Sequence, residues 1–226
     1  MISGSSKLSL KGLNRKNLVQ NRSIRRSAAS IWLSLSKFVS RIFSRSSSRG
    51  SFFVRSSSRH TVNASLSQVS PLNTTSESQE QDTKVLNDQI NSKVPRKKRL
   101  WQQVVKTKIL EQATTLETAG KPFERLLRLS EKVKSGDPEN IEAQAAQHYW
   151  KKLMGETFRR DVNADGVNSL LNYGYAIMRA MVARSIVATG LHPAIGIHHK
   201  NQYNGLCLAD DIIEPFRPWV DEIVYN

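Results

Sequence analysis

Residues 168–189 read NSLLNYGYAIMRAMVARSIVAT, and this stretch constrains the fold more than any other. It lacks proline, is rich in good helix formers, and is followed by Gly190 and then Pro193, a helix-ending pair. Leu170, Leu171, Tyr175, Ile177, Met178, Met181, Val182, Ile186 and Val187 fall nearly all round such a helix, which predicts a central, buried element. Arg179 and Arg184 interrupt the apolar run, which is also too short to span a bilayer. A soluble helical domain with no membrane partner is the expectation.

Charge shows where that domain cannot begin. The first acidic residue is Glu77, and thirteen Lys or Arg precede it, so residues 1–76 carry +13 of the net +15. The same 76 positions hold 22 Ser, 9 Arg and 8 Leu and show neither a helical nor a strand period. Low complexity of this kind does not build a packed core. Three readings fit: an organellar transit peptide, a disordered nucleic-acid-binding tail, or a segment translated out of frame, because Ser, Arg and Leu have the most codons. Beyond it, 21 basic and 19 acidic residues nearly balance. Cys207 is the sole cysteine, which excludes an internal disulfide and a Cys-based zinc site. It fits a reducing, cytoplasmic location.

The remaining periodicity is helical. Residues 95–117 place Trp101, Val104, Val105, Ile109 and Leu110 on one side, with Lys97, Lys98, Arg99, Lys106 and Lys108 elsewhere. Those bases form either a solvated face or a rim that contacts phosphate. Gly120-Lys121-Pro122 ends this helix, and a short one follows over residues 123–134, with Gly136 as its cap. Asp137-Pro138 predicts a third start, Asp as N-cap and Pro in the first turn. On that helix Glu142 shares a face with Ala145, Ala146, Tyr149 and Leu153. A carboxylate there needs a cationic partner, either a Lys or Arg of a neighbouring helix or a metal ion. Residues 158–168 read as a loop and residues 194–208 as irregular. A last helix begins near residues 209–211, distorted by Pro215 and Pro218.

Histidines and carboxylates crowd the end of the chain. Asp211 and Glu214 are three apart and face the same way on a helix, and His199 lies fifteen residues before Glu214. Two hard oxygens and one imidazole suit magnesium or manganese, Mg²⁺ or Mn²⁺, for phosphodiester chemistry. The plainer alternatives are that Asp210 and Asp211 cap a helix and that His198 or His199 is a packed histidine. Gly-rich phosphate loops, Walker-type motifs and Ser-His-Asp patterns are absent.

Five stretches carry a family resemblance: RLWQQVVKTKI (99–109), DPENIEAQAAQHYW (137–150), LNYGYAIMRAMVAR (171–184), GLHPAIGIHH (190–199) and YNGLCLADDIIEPFRP (203–218). They resemble, in order, the CRISPR-associated integrase/endonuclease family, the first protein of the spacer-acquisition module, and most of all its type II form. The resemblance implies an all-α C-terminal catalytic domain that uses Mg²⁺ or Mn²⁺ to join 3′-hydroxyl ends of short DNA into a repeat array. Carried over, Glu142, His199 and Glu214 are the catalytic metal ligands, with Asp211 and His198 in support. Lys97, Lys98, Arg99, Lys106, Arg179 and Arg184 are the candidate phosphate contacts. Implied partners are double-stranded DNA, a second copy of the chain, and the second adaptation protein as a dimer.

The chain departs from that pattern at both ends. The family's N-terminal β domain should fill roughly the first 80 residues. Here a Ser/Arg-rich segment, disordered or non-native, stands in its place, which favours the out-of-frame reading. The family also continues past the EPFRP motif, whereas this chain stops at Asn226, as a truncated catalytic domain would. The expected division is 1–83, a basic segment, and 84–226, the helical domain. An inactive fragment that binds DNA through its basic tail is the alternative, and an organelle-targeted helical protein is the third.

Overall fold

The structure, a computed structural model, describes residues 76–226, with side chains from residue 82 onward. The expectations for residues 1–75 lie outside the described residues. Seven α-helices follow: α1 (Ser76–Ile90), α2 (Val94–Thr118), α3 (Glu124–Lys132), α4 (Ile141–Met154), α5 (Val167–Val187), α6 (Cys207–Ile213) and α7 (Arg217–Tyr225). A 3₁₀ turn, Glu214–Phe216, joins the last two. Among the described residues there is no strand, so the all-α expectation holds.

The organising helix is α2, not the one composition favoured. It packs against α3, α4, α6, the 3₁₀ turn and α7. Its buried residues run from Leu100 through Trp101, Val104, Val105 and Ile109 to Leu116, and polar Glu111, Gln112, Thr114 and Thr115 are buried beside them. Helix α5 instead buries a single stripe, Leu171, Tyr175, Met178, Val182 and Ile186. Leu170, Tyr173 and Ile177 stand exposed on another side. The expectation of an all-round buried helix is corrected here. Apolar residues at spacings of three and four mark a face, and that pattern does not say whether the face meets a core or solvent.

Helix α1 spans the expected boundary between residues 83 and 84. Prolines set the rest. Pro95 sits in the first turn of α2, where its missing N–H costs nothing. Pro215 and Pro218 divide the last helical region into α6, the 3₁₀ turn and α7, as expected. Helix α4 begins at Ile141 rather than at Pro138. Asp137 and Asn140 adopt positive φ (49° and 50°) in the tight turn before it, a conformation these side chains tolerate. Asp137 still acts as a cap, because its carboxylate accepts from the backbone N–H of Ile141 (2.9 Å) and Glu142 (3.0 Å). Asn140 takes the N–H of Ala143.

Candidate metal centre

Helices α2 and α4 and the 3₁₀ turn bring three charged side chains to one point. Glu142 projects from the first turn of α4, held there by the Asp137 cap. Glu214 opens the 3₁₀ turn and is buried. Between them lies Lys108 of α2, whose Nζ is 2.6 Å from Glu142 Oε1 and 2.5 Å from Glu214 Oε2. The other oxygen of Glu214 accepts from Arg217 Nε at 2.8 Å. The Arg217 guanidinium in turn lies over the Tyr175 ring, 4.6 Å from its centre.

Electrostatics follow from this crowding. Burial disfavours the Glu214 carboxylate, yet the positive charges of Lys108 and Arg217 overcome it and hold the group below its ordinary value. Burial likewise opposes the Lys108 ammonium, but the two carboxylates raise it above the ordinary lysine value. Both shifts favour the charged forms of Lys108 and Glu214. The sequence predicted a cation for Glu142 and left open which kind. The structure supplies the lysine, and Lys108 was legible only as one of several bases on its helix.

His199 is set by a second device. Asp211, fully buried, accepts the backbone N–H of Ile197 (2.6 Å), His198 (3.0 Å) and His199 (3.1 Å). Its Oδ1 also lies 2.7 Å from His199 Nδ1. This hydrogen bond raises the imidazole above its ordinary pKa, burial opposing it. With Nδ1 engaged, Nε2 is the nitrogen left to meet a ligand, the arrangement that orients metal-binding histidines. His198 stacks on Trp101 at 4.2 Å, and His199 meets the same indole edge-on at 5.8 Å. Trp101 and Lys108 are seven residues apart, so they share a face of α2 about 10 Å apart along its axis. Gly196 makes the turn possible, since a Cβ there would lie 2.3 Å from the His199 carbonyl oxygen.

The donor set suits a divalent ion. Two carboxylates already converge on one cation, and the third donor is an imidazole fixed by a buried acid. Among the described residues no three His, Cys, Asp or Glu side chains are gathered closely enough to share an ion; Lys108 stands between the two carboxylates.

Among the expected phosphate contacts, Lys98, Arg99, Lys106 and Arg184 are exposed and Lys97 is half-buried. Arg179 is engaged elsewhere: it pairs with Asp210 at 2.5 and 2.9 Å and donates to Asn204 at 3.0 Å, tying α5 to α6.

Comparison with known proteins gives the family. Residues 41–226 match the family described as CRISPR associated protein Cas1. The chain belongs to the Cas1 family. The match begins inside the Ser/Arg-rich segment, ahead of the expected domain start at residue 84. A CRISPR-associated endonuclease Cas1 of Neisseria meningitidis serogroup C (strain 8013) is 46% identical over 145 residues, 63% of this chain and 47% of its own length. CRISPR-associated endonuclease Cas1 2 of Pyrobaculum aerophilum is 38% identical over 86 residues, 37% of this chain and 29% of its own length. CRISPR-associated endonuclease Cas1 1 of Saccharolobus solfataricus is 37% identical over 91 residues, 35% of this chain and 26% of its own length. The chain thus spans less than half the length of these Cas1 relatives. Among the described residues no helix is long and apolar enough to cross a membrane.

Proposed function

We propose that the chain is a metal-dependent DNA endonuclease and integrase of CRISPR adaptation, inserting short DNA into the repeat array by phosphodiester transesterification in antiviral defence. The observation that carries this reading is the convergence of Glu142 and Glu214, 72 residues apart in sequence, on a single cation. Membership in the Cas1 family and the endonuclease names of its relatives supply the reaction class.

Glu142, His199 and Glu214 would hold Mg²⁺ or Mn²⁺. When bound, such an ion supplies charge stabilisation at a phosphoryl oxygen and makes a bound water more acidic. The chain's own groups do the rest. Asp211 fixes the His199 ring through Nδ1 and gathers three backbone N–H groups, so the histidine turn is rigid before substrate arrives. Arg217 holds the second oxygen of Glu214 and thereby sets the direction of its carboxylate. Exposed Lys98, Arg99 and Lys106 lie on the helix that carries Lys108 and would offer positive charge to DNA phosphates. A second copy of the chain and a dimer of the second adaptation protein are the proposed protein partners, in the cytoplasm.

Nicking and strand transfer on branched duplex DNA test this reading. Activity should appear with Mn²⁺ or Mg²⁺ and vanish with a chelator. DNA binding that falls steeply with salt while no cleavage occurs at any metal concentration would identify a basic binding fragment instead.

A further inference from the structure

Lys108 is the buried charge that the proposed reaction leaves without a task. It reaches from α2 to carboxylates on two other elements, and only 12% of its side chain is exposed. Without a cation between them, Glu142 and Glu214 would face each other as like charges in a partly dry site. The ammonium therefore holds α2, α4 and the 3₁₀ turn together. It also stands between the carboxylates that would hold a divalent ion, and one gap does not admit two cations in contact.

Resting on the metal reading above, we propose that Lys108 is a built-in competing cation, which closes the Glu142–Glu214 pair in the metal-free chain and leaves it when a divalent ion enters. Metal loading is then an exchange of one positive charge for another. The flexible four-carbon stem of a lysine allows this movement, which the planar, bidentate fork of an arginine would resist. Two consequences follow. The metal-free domain does not need an ion to hold its two carboxylates together, and the site fills only above a metal concentration that Lys108 sets.

Free Mn²⁺, followed by its EPR signal, measures the exchange directly without reading activity. Lys108→Gln should bind Mn²⁺ at least about fivefold more tightly than the native chain, the low end of ordinary coupling between ligands. Its metal-free melting temperature should fall, and its Mn²⁺-induced rise in melting temperature should grow. Lys108→Arg, which keeps the charge, should bind Mn²⁺ no more tightly than the native chain. A second measurement needs no variant: amine acylation followed by mass spectrometry should find Lys108 protected without metal and reactive at saturating Mn²⁺, with exposed Lys106 reactive in both. Equal or weaker Mn²⁺ binding by Lys108→Gln, or Lys108 still protected at saturation, overturns the proposal. If the native chain binds no Mn²⁺, or Glu142→Gln and Glu214→Gln bind it undiminished, the metal reading itself falls, and this inference with it.

Discussion

Gln89 and His192 are 103 residues apart and exchange a pair of hydrogen bonds. The Gln89 amide nitrogen donates to the His192 carbonyl at 2.9 Å, and the His192 N–H returns to Gln89 Oε1 at 2.8 Å. The same amide also donates to the Ile195 carbonyl at 3.0 Å. One buried side chain of α1 thus braces the turn that delivers His199.

Gln89→Ala should therefore weaken the fold as well as the site. It strands the His192 N–H and the Ile195 carbonyl, while the His192 carbonyl keeps the Ile195 N–H at 3.2 Å; one buried unsatisfied group costs about 1–3 kcal/mol. Urea denaturation should show a loss in that range or larger. Gln89→Glu should rescue only part of it, since a carboxylate can accept from His192 but cannot donate. Indistinguishable stabilities would mean that α1 does not support the turn.

A tighter geometric demand falls on Gly196. An added Cβ would meet the His199 carbonyl at 2.3 Å and Asp211 Oδ2 at 3.0 Å, both held by the hydrogen-bond network around Asp211. Gly196→Ala should cost about 1–3 kcal/mol, the ordinary range for overpacking. It should also lower cleavage more than it lowers DNA affinity. A variant with native stability and cleavage would show that the turn yields freely.

Another buried acid, linked to the candidate site through Tyr175 and Arg217, predicts a pH dependence. Asp221 accepts from the Tyr149 hydroxyl at 3.0 Å and from that of Tyr175. Burial pushes its carboxyl from the ordinary 3.8 up to about 7, against the two phenols and Arg217. Because the folded-state pKa lies above the unfolded one, its stabilisation is complete below the unfolded value and is lost as pH rises through about 7. His199, also raised, acts in the same direction. Thermal midpoints between about pH 5 and pH 8 should thus fall less for Asp221→Asn than for the native chain. Parallel slopes would contradict the assignment.

Much of this was legible in the sequence, and the gaps have physical causes. Helical periodicity and the Gly and Pro breaks located α2 to α5, because local backbone preference and burial agree there. The resemblance named Glu142, His199 and Glu214, of which the structure brings Glu142 and Glu214 together on Lys108, and spacing singled out Asp211. The central helix was misjudged: α5 is more apolar than α2, yet α2 buries more of its surface by enclosing Glu111, Gln112 and Thr115. Burial of polar groups depends on partners elsewhere in the fold, which no local pattern reveals. Lys108 escaped notice for the same reason. Its partners are 34 and 106 residues away, so on the sequence it looks like any other base of its helix. Gln89 carried no signal at all.

The central claim, that Glu142, His199 and Glu214 act as one metal-dependent unit on DNA, is tested most directly by Mn²⁺-dependent strand transfer on branched DNA. The native chain is to be compared with Glu142→Gln, His199→Ala and Glu214→Gln at matched DNA occupancy. Each variant should lose at least about a hundredfold in rate, the scale on which removal of one catalytic group acts. Duplex binding should persist. Undiminished strand transfer by any one of the three would contradict the account.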